Sequence, residues 1–182
     1  MSDPLYAAYH DEEWGRPVTT EQGIYERLCL ESFQSGLSWL TILRKRENFR
    51  AAFAGFDPEA VARFGEQDVA RLLGDAGIVR HRGKIEAAIA NARATLALRE
   101  AGEPLHELLW AHVPAPTAPR SSHDEWPAST AESTALAKRL RHVGFRFVGP
   151  TTVYAAMQAC GVVNDHLAEC WVRDEVERER VA

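Results

Sequence analysis

Hydrophobic positions recur at three- and four-residue intervals along most of this chain, and no run keeps the two-residue alternation of a half-buried strand. Helices are therefore predicted throughout. Thr20 can cap a helix running to about Ser35, with Gly36 to close it. Ser38 can cap the next, which carries Leu40, Leu43 and a basic cluster. Asp57-Pro58-Glu59 sets an N-cap acid before a proline at the first helical position, predicting helices over 58–64 and 67–74. An alanine-rich stretch without proline continues from about 83 to 100, and Pro104 opens a short helix ending near Trp110. Pro114, Pro116, Pro119 and Pro127 then break the pattern, so 113–128 is expected to be a loop on the substrate side. Ser129 and Glu132 form a capping box for a helix to about His142. Gly149-Pro150-Thr151 starts another that ends at Gly161, and a last helix from about Asn164 contains His166 and Cys170. The prediction is an all-α protein of short helices in one domain, residues 1–182, without internal repeats.

One residue interrupts the apolar pattern. Glu31 lies within Leu28-Cys29-Leu30-Glu31-Ser32-Phe33, and the first forty residues also hold Tyr6, Tyr9, Trp14, Tyr25 and Trp39. A carboxylate rarely enters such a stripe unless its charge or its acceptors are needed there. Two readings are open: an acid at the edge of a helix stripe with its oxygens in water, or an acid ringed by aromatic faces, which suits a planar, electron-poor or cationic ligand.

Composition narrows the class. With 46% hydrophobic residues and five tryptophans the chain can build a real interior, yet no stretch approaches a membrane span. Three cysteines make no disulfide framework, and Met1-Ser2-Asp3-Pro4 is no signal peptide, so a reducing, cytoplasmic setting is expected. A net charge of −5 argues weakly against a polyanion partner, but the charge is unevenly spread. Residues 1–31 hold seven acids against two bases, whereas Arg44–Arg50 and Arg80–Lys84 are each +3. Such islands are either solvated helix faces or local phosphate contacts.

The second island lies in Asp75-Ala76-Gly77-Ile78-Val79-Arg80-His81-Arg82-Gly83-Lys84-Ile85, between two predicted helices. A turn with two glycines can point backbone N–H groups at a phosphate beside a helix N-terminus, with Arg80, Arg82 and Lys84 around it. A plain turn between packed helices would look similar; the lack of a neutralising acid within Arg80–Lys84 favours phosphate. His166 and Cys170, four apart on the predicted last helix, have the spacing of two ligands to one ion, or are a capping histidine and a core thiol. Signatures of redox or phosphoryl-transfer sites are missing.

These residues carry a resemblance. Asp3-Pro4-Leu5-Tyr6, Tyr9-His10-Asp11-Glu12-Glu13-Trp14-Gly15, Glu31 with Gln34-Ser35-Gly36-Leu37-Ser38-Trp39, and Arg46-Glu47-Asn48-Phe49-Arg50 are similar to the 3-methyladenine DNA glycosylase I family. The match continues through the glycine turn at 76–85, Gly144–Gly149, Met157–Gly161 and Asn164-Asp165-His166, in the family's order over nearly the whole chain. The resemblance implies an all-helical helix-hairpin-helix glycosylase fold, with that element near 68–100. It implies monofunctional excision of 3-methyladenine from alkylated double-stranded DNA by base flipping, leaving an abasic site, by a monomer with no organic cofactor. By position Glu31 resembles the catalytic, base-recognising acid; Tyr9 and Trp39 resemble stacking aromatics; Trp14 and Tyr6 resemble further base contacts. Leu37 resembles a residue near the gap left by the flipped nucleotide, and Gly77, Arg80, Arg82, Gly83 and Lys84 fall in the DNA-binding hairpin. His10, His166 and Cys170 match three of four ligands of a structural zinc. The fourth, a cysteine before the Asp-Pro-Leu-Tyr block, has no counterpart here, and neither does an aromatic that follows it. Either the natural start lies upstream of Met1, or the site has lost a thiolate.

Two other functions share part of this pattern. A non-catalytic helix-hairpin-helix module would use the glycine turn but not Glu31 among aromatics, and an enzyme of free nucleosides would leave the basic segments idle.

Overall fold

The computed structural model describes residues 3–181, and all of their regular structure is helical. The element order is α1 (Pro4–Glu12), α2 (Glu21–Gln34), α3 (Trp39–Ala52), α4 (Pro58–Ala62), α5 (Glu66–Gly74), α6 (Arg82–Glu100), α7 (Leu105–Trp110), α8 (Ala131–His142), α9 (Pro150–Ala159) and α10 (Arg173–Val181), with short 3₁₀ turns at Ala54–Phe56 and His123–Glu125. No described helix is long and apolar enough to cross a membrane.

Local chemistry sets most starts where the sequence places them. Thr20 accepts from the Gly23 N–H at the head of α2, Ser38 from Thr41 at α3, and Asp57 from Glu59 ahead of Pro58 at α4. Three expectations shift. Residues 4–12 form a helix that the periodicity did not predict, capped by Asp3 with Pro4 in its first turn. The capping residue of α8 is Thr130, paired with Ser133, one place beyond the expected Ser129 and Glu132.

The third shift matters more. Residues 164–172 are not helical, and the last helix begins only at Arg173. Asp165 is buried and accepts from Tyr154 Oη (2.5 Å), Gln158 Nε2 (2.8 Å) and Arg120. Main-chain carbonyls that the helix would have used are taken by Arg173 of α10, which donates to His166 O (2.5 Å) and Asn164 O (3.3 Å), while Arg180 holds the preceding turn through Gly161 O (2.6 Å) and Val162 O (2.7 Å). A satisfied irregular segment thus replaces the expected helix.

α2 runs through the middle and is buried nearly all round, with Ile24, Tyr25, Leu28, Cys29, Leu30 and Phe33 in the core. α3, α6, α7 and α9 pack against it. Phe49, Phe53 and Phe56 stack in sequence beside it, Phe33 of α2 meets Phe49 at a tilt, and the Tyr25 hydroxyl donates to Ala88 O of α6 at 2.9 Å. This packing holds Glu31 and Ser32, at the C-terminal end of α2, against rigid neighbours.

Candidate active site

A cavity of about 650 Å³ opens where α1, α2, α3, α9 and the segments 120–130 and 164–172 converge. Its wall brings together Tyr6, Tyr9, Trp14, Glu31 and Trp39 from the predicted set. Tyr9 and Trp39 lie 5.2 Å apart with their planes tilted by 46°. Leu37, the remaining residue of that group, is not in the wall; it is exposed on the turn between α2 and α3, where Gly36 takes φ +84. Gln34 Nε2 donates to Leu37 O at 2.9 Å and fixes the turn.

Glu31 is 7% exposed, and its carboxylate receives no hydrogen bond from any described residue. Burial pushes its pKa up to about 8, against a smaller downward pull from Arg27. Burial therefore favours the protonated form of this acid, and a positive charge placed beside it would favour the carboxylate. Burial, reinforced by Glu31, also keeps the Tyr9 phenol protonated.

The loop expected on the substrate side supplies the far wall, although the sequence did not single out which of its residues do so. His123 and Trp126 reach the cavity from the proline-rich loop, with Trp126 5.7 Å from Trp14 and 4.4 Å from His123. Gln158 of α9 joins them. Aromatics inside a long irregular stretch were the available signal.

Beside Trp14, ligand atoms of His10, His166 and Cys170 all lie within 4.8 Å of one another. The pairing survives although its expected basis, two positions on one helix face, does not. His166 is buried, with Nδ1 held by Asn164 Oδ1 at 2.9 Å and Nε2 buried without a partner. His10 is likewise oriented through Nδ1, 2.7 Å from Asp11 Oδ1, and its Nε2 is 3.6 Å from Cys170 Sγ. An orphaned imidazole nitrogen facing a second imidazole and a thiol is a donor set that fits zinc, with both rings fixed from behind. Among the described residues no fourth His, Cys, Asp or Glu joins the group.

The hairpin is present as α5, the turn 75–81, and α6. Gly77 N–H donates to Asp75 Oδ1 at 2.7 Å, and a Cβ on Gly77 would sit 2.9 Å from that oxygen and 3.1 Å from Asn48, so a larger residue would have to displace both side chains. His81 caps α6 by accepting from Lys84 N–H. Two expectations about charge are corrected here. Lys84 is buried, and its ammonium donates to Phe33 O (2.9 Å) and Ser35 O (2.6 Å); it caps α2 and braces the Leu37 turn instead of facing outward. Arg82 is not free of acids: the fold brings Glu66 to 3.4 Å and Glu86 to 3.1 Å. Arg80 is exposed and makes no ion pair with a described residue.

The other basic island is largely neutralised. Glu13 takes Arg46 at 2.6 and 2.8 Å, Glu26 takes Arg50 at 2.8 Å, Asp3 takes Arg44 at 2.6 Å, and Lys45 donates to Ala76 O. The acid-rich first thirty-one residues and the +3 segment are two sides of one internal network.

The profile of the methyladenine glycosylase family matches residues 1–174. The chain is 53% identical over 171 residues to DNA-3-methyladenine glycosylase 1 of Escherichia coli (strain K12), covering 92% of this chain and 91% of that protein. A crystal structure of 3-methyladenine DNA glycosylase I superposes with a TM-score of 0.91 at 51% identity, covering 94% of this chain and 95% of that one. A variant of 3-methyladenine DNA glycosylase I in complex with 3-methyladenine superposes equally well, with a TM-score of 0.91 at 36% identity, covering 95% and 94%.

Proposed function

The chain belongs to the methyladenine glycosylase family, and from that premise we propose that it hydrolyses the N-glycosidic bond of 3-methyladenine in alkylated double-stranded DNA. The observation that carries this reading is Glu31, an unpaired acid buried in the wall of an aromatic cavity.

Methylation at N3 makes the base a cation, so it departs as a neutral molecule and needs no proton from the enzyme. What remains is to flip the nucleotide, hold it and discriminate it. Tyr9 and Trp39 stack on the base, favouring the cation over neutral adenine by about 1–2 kcal/mol. Glu31 ionises as the cation enters, accepts from the exocyclic amine and offsets the base's charge in a dry site. Trp14 and Tyr6 close the sides. Water takes the base's place on the sugar and an abasic site remains. Among the described residues the cavity wall carries no lysine, in keeping with hydrolysis and not Schiff-base chemistry.

The hairpin grips a backbone phosphate through its turn amides and the head of α6, with Arg80 as the available cation. His10, His166 and Cys170 would hold a zinc ion, which ties α1 to the segment 164–172 as a structural link. The protein acts as a monomer, and a reducing cytoplasm suits its three free cysteines.

Incubating methylated DNA with the protein and identifying the released bases is the test. Release of 3-methyladenine with an intact strand is expected. Binding without release would identify a helix-hairpin-helix DNA-binding module, and activity confined to free nucleosides would overturn the DNA reading.

A further inference from the structure

The loop between α8 and α9 presents an aromatic ring outward on a strained backbone. Phe147 has φ +55, a region that a bulky L-residue enters at a cost of about 1–3 kcal/mol. Among the described residues two other non-glycine positions share that region, Ala54 and Phe56, both in the turn after α3, where the Phe56 ring is wholly buried in the core. Phe147 gains no such burial and is 45% exposed. The fold therefore accepts both backbone strain and an exposed ring at one residue.

Three contacts hold it there. Buried Asn91 of α6 clamps the preceding residue from both sides: Arg146 N–H donates to Asn91 Oδ1 (2.7 Å), and Asn91 Nδ2 donates to Arg146 O (3.2 Å). The Ser32 hydroxyl, next to Glu31, shares its one proton between Leu28 O at 2.7 Å and Phe147 O at 3.0 Å. The ring itself stands edge-on to His81, the cap of α6, at 6.2 Å, and a Cβ on Gly83 would come within 3.7 Å of it. Phe147 is thus pinned from behind to the residue beside the pocket acid and placed in front beside the hairpin turn.

Resting on the glycosylase reading, we propose that Phe147 is a DNA-contacting residue that stacks on a base at the lesion and holds the duplex open while the methylated nucleotide occupies the cavity. A rigidly mounted exposed aromatic between a phosphate-binding turn and a base pocket meets the requirement of that step. Every base offers a π-face, so the contact needs no sequence preference. The backbone strain fixes the ring's direction, which a relaxed loop would not.

The test compares the parent protein with Phe147→Ala and Phe147→Trp. Alanine keeps Cβ and hence the same backbone strain, so the change is confined to the ring. Three readouts are taken: excision from methylated duplex under single turnover, fluorescence of 2-aminopurine opposite an abasic-site analogue, and quenching of pocket tryptophan by free 3-methyladenine. For Phe147→Ala, excision and affinity for the abasic duplex are expected to fall by about ten- to a hundredfold, the size of one base–aromatic stack. The 2-aminopurine signal should drop, free-base quenching and thermal stability should hold, and Phe147→Trp should restore duplex function. A Phe147→Ala protein as active as a functional parent would overturn the role of Phe147 alone. Equal loss of free-base quenching would show the ring to be a pocket support and overturn it too. A parent that releases no base would overturn the glycosylase reading and this role with it.

Discussion

Two acids on α2, five positions apart, are buried almost equally: Glu26 is 8% exposed and Glu31 7%. Glu26 faces arginines, with Arg50 at 2.8 Å and Arg27 at 3.6 Å. Glu31 faces a cavity and has no partner among the described residues. Burial alone does not separate a structural acid from a functional one; the missing partner does. Glu13 marks the paired extreme: burial pushes its carboxyl up, but the Arg46 hydrogen bonds and the charges of Arg46 and Arg27 win, and it stays below the usual range. On the proposed reading, a cationic base is the counter-ion of the one acid left unpaired.

That contrast is broken most forcefully at Glu31. Glu31→Gln keeps the shape and an acceptor but removes the charge, so 3-methyladenine release from methylated DNA should fall by about a hundredfold, the loss of a charge-assisted contact in a dry site. Near-parental excision by the folded variant would refute the assignment. The same variant should be no less stable than the parent. An unfolded chain releases this proton near the ordinary value of 4.5, while the fold holds it to about 8. Folding is therefore penalised increasingly as pH rises between those values, and below them the penalty vanishes. Urea unfolding should show Glu31→Gln gaining on the parent, by up to a few kcal/mol, from pH 5 to pH 8.

Glu26→Gln should do the reverse. It takes one of two acids from each arginine, leaving Arg50 with Glu47 (2.7 Å) and Arg27 with Glu13 (3.4 Å), and stability should fall by about 1–2 kcal/mol, discounted because Arg50 is one-third exposed. Excision by the folded fraction should stay within about threefold of the parent. Loss of activity without loss of stability would erase the distinction between the two acids.

The smallest effects concern the hairpin. Arg80→Ala should weaken binding to all duplexes several-fold and lower the salt slope by about one. Lys84→Met should leave that slope alone and lower thermal stability, because the Lys84 ammonium serves Phe33 O and Ser35 O. A salt slope that moves with Lys84 and not with Arg80 would invert the assignment.

Helix starts were legible because their determinants are local: Thr20, Ser38 and Asp57 act on amides two or three residues away. Glu31 was legible as a mismatch with its neighbours. Charge pairing was not, since Glu13 meets Arg46 and Glu66 meets Arg82 only through the fold. The basic islands consequently looked freer than they are. Residues 164–172 misled for a related reason: a period compatible with helix was overridden by the buried Asp165 and by Arg173 of α10. Trp126 and Phe147 lie in irregular segments, where periodicity says nothing about direction.

The claim that Glu31 is a desolvated, unpaired acid can be measured directly by following its side-chain carboxyl carbon by NMR as pH is varied, in the protein free of DNA, with Glu13 as the internal contrast. The account predicts a Glu31 midpoint near 8 and a Glu13 midpoint below the ordinary carboxylate value. A Glu31 carboxyl that titrates like an exposed glutamate would mean that water or a cation already serves it, and the proposed basis for selecting a cationic base would fail.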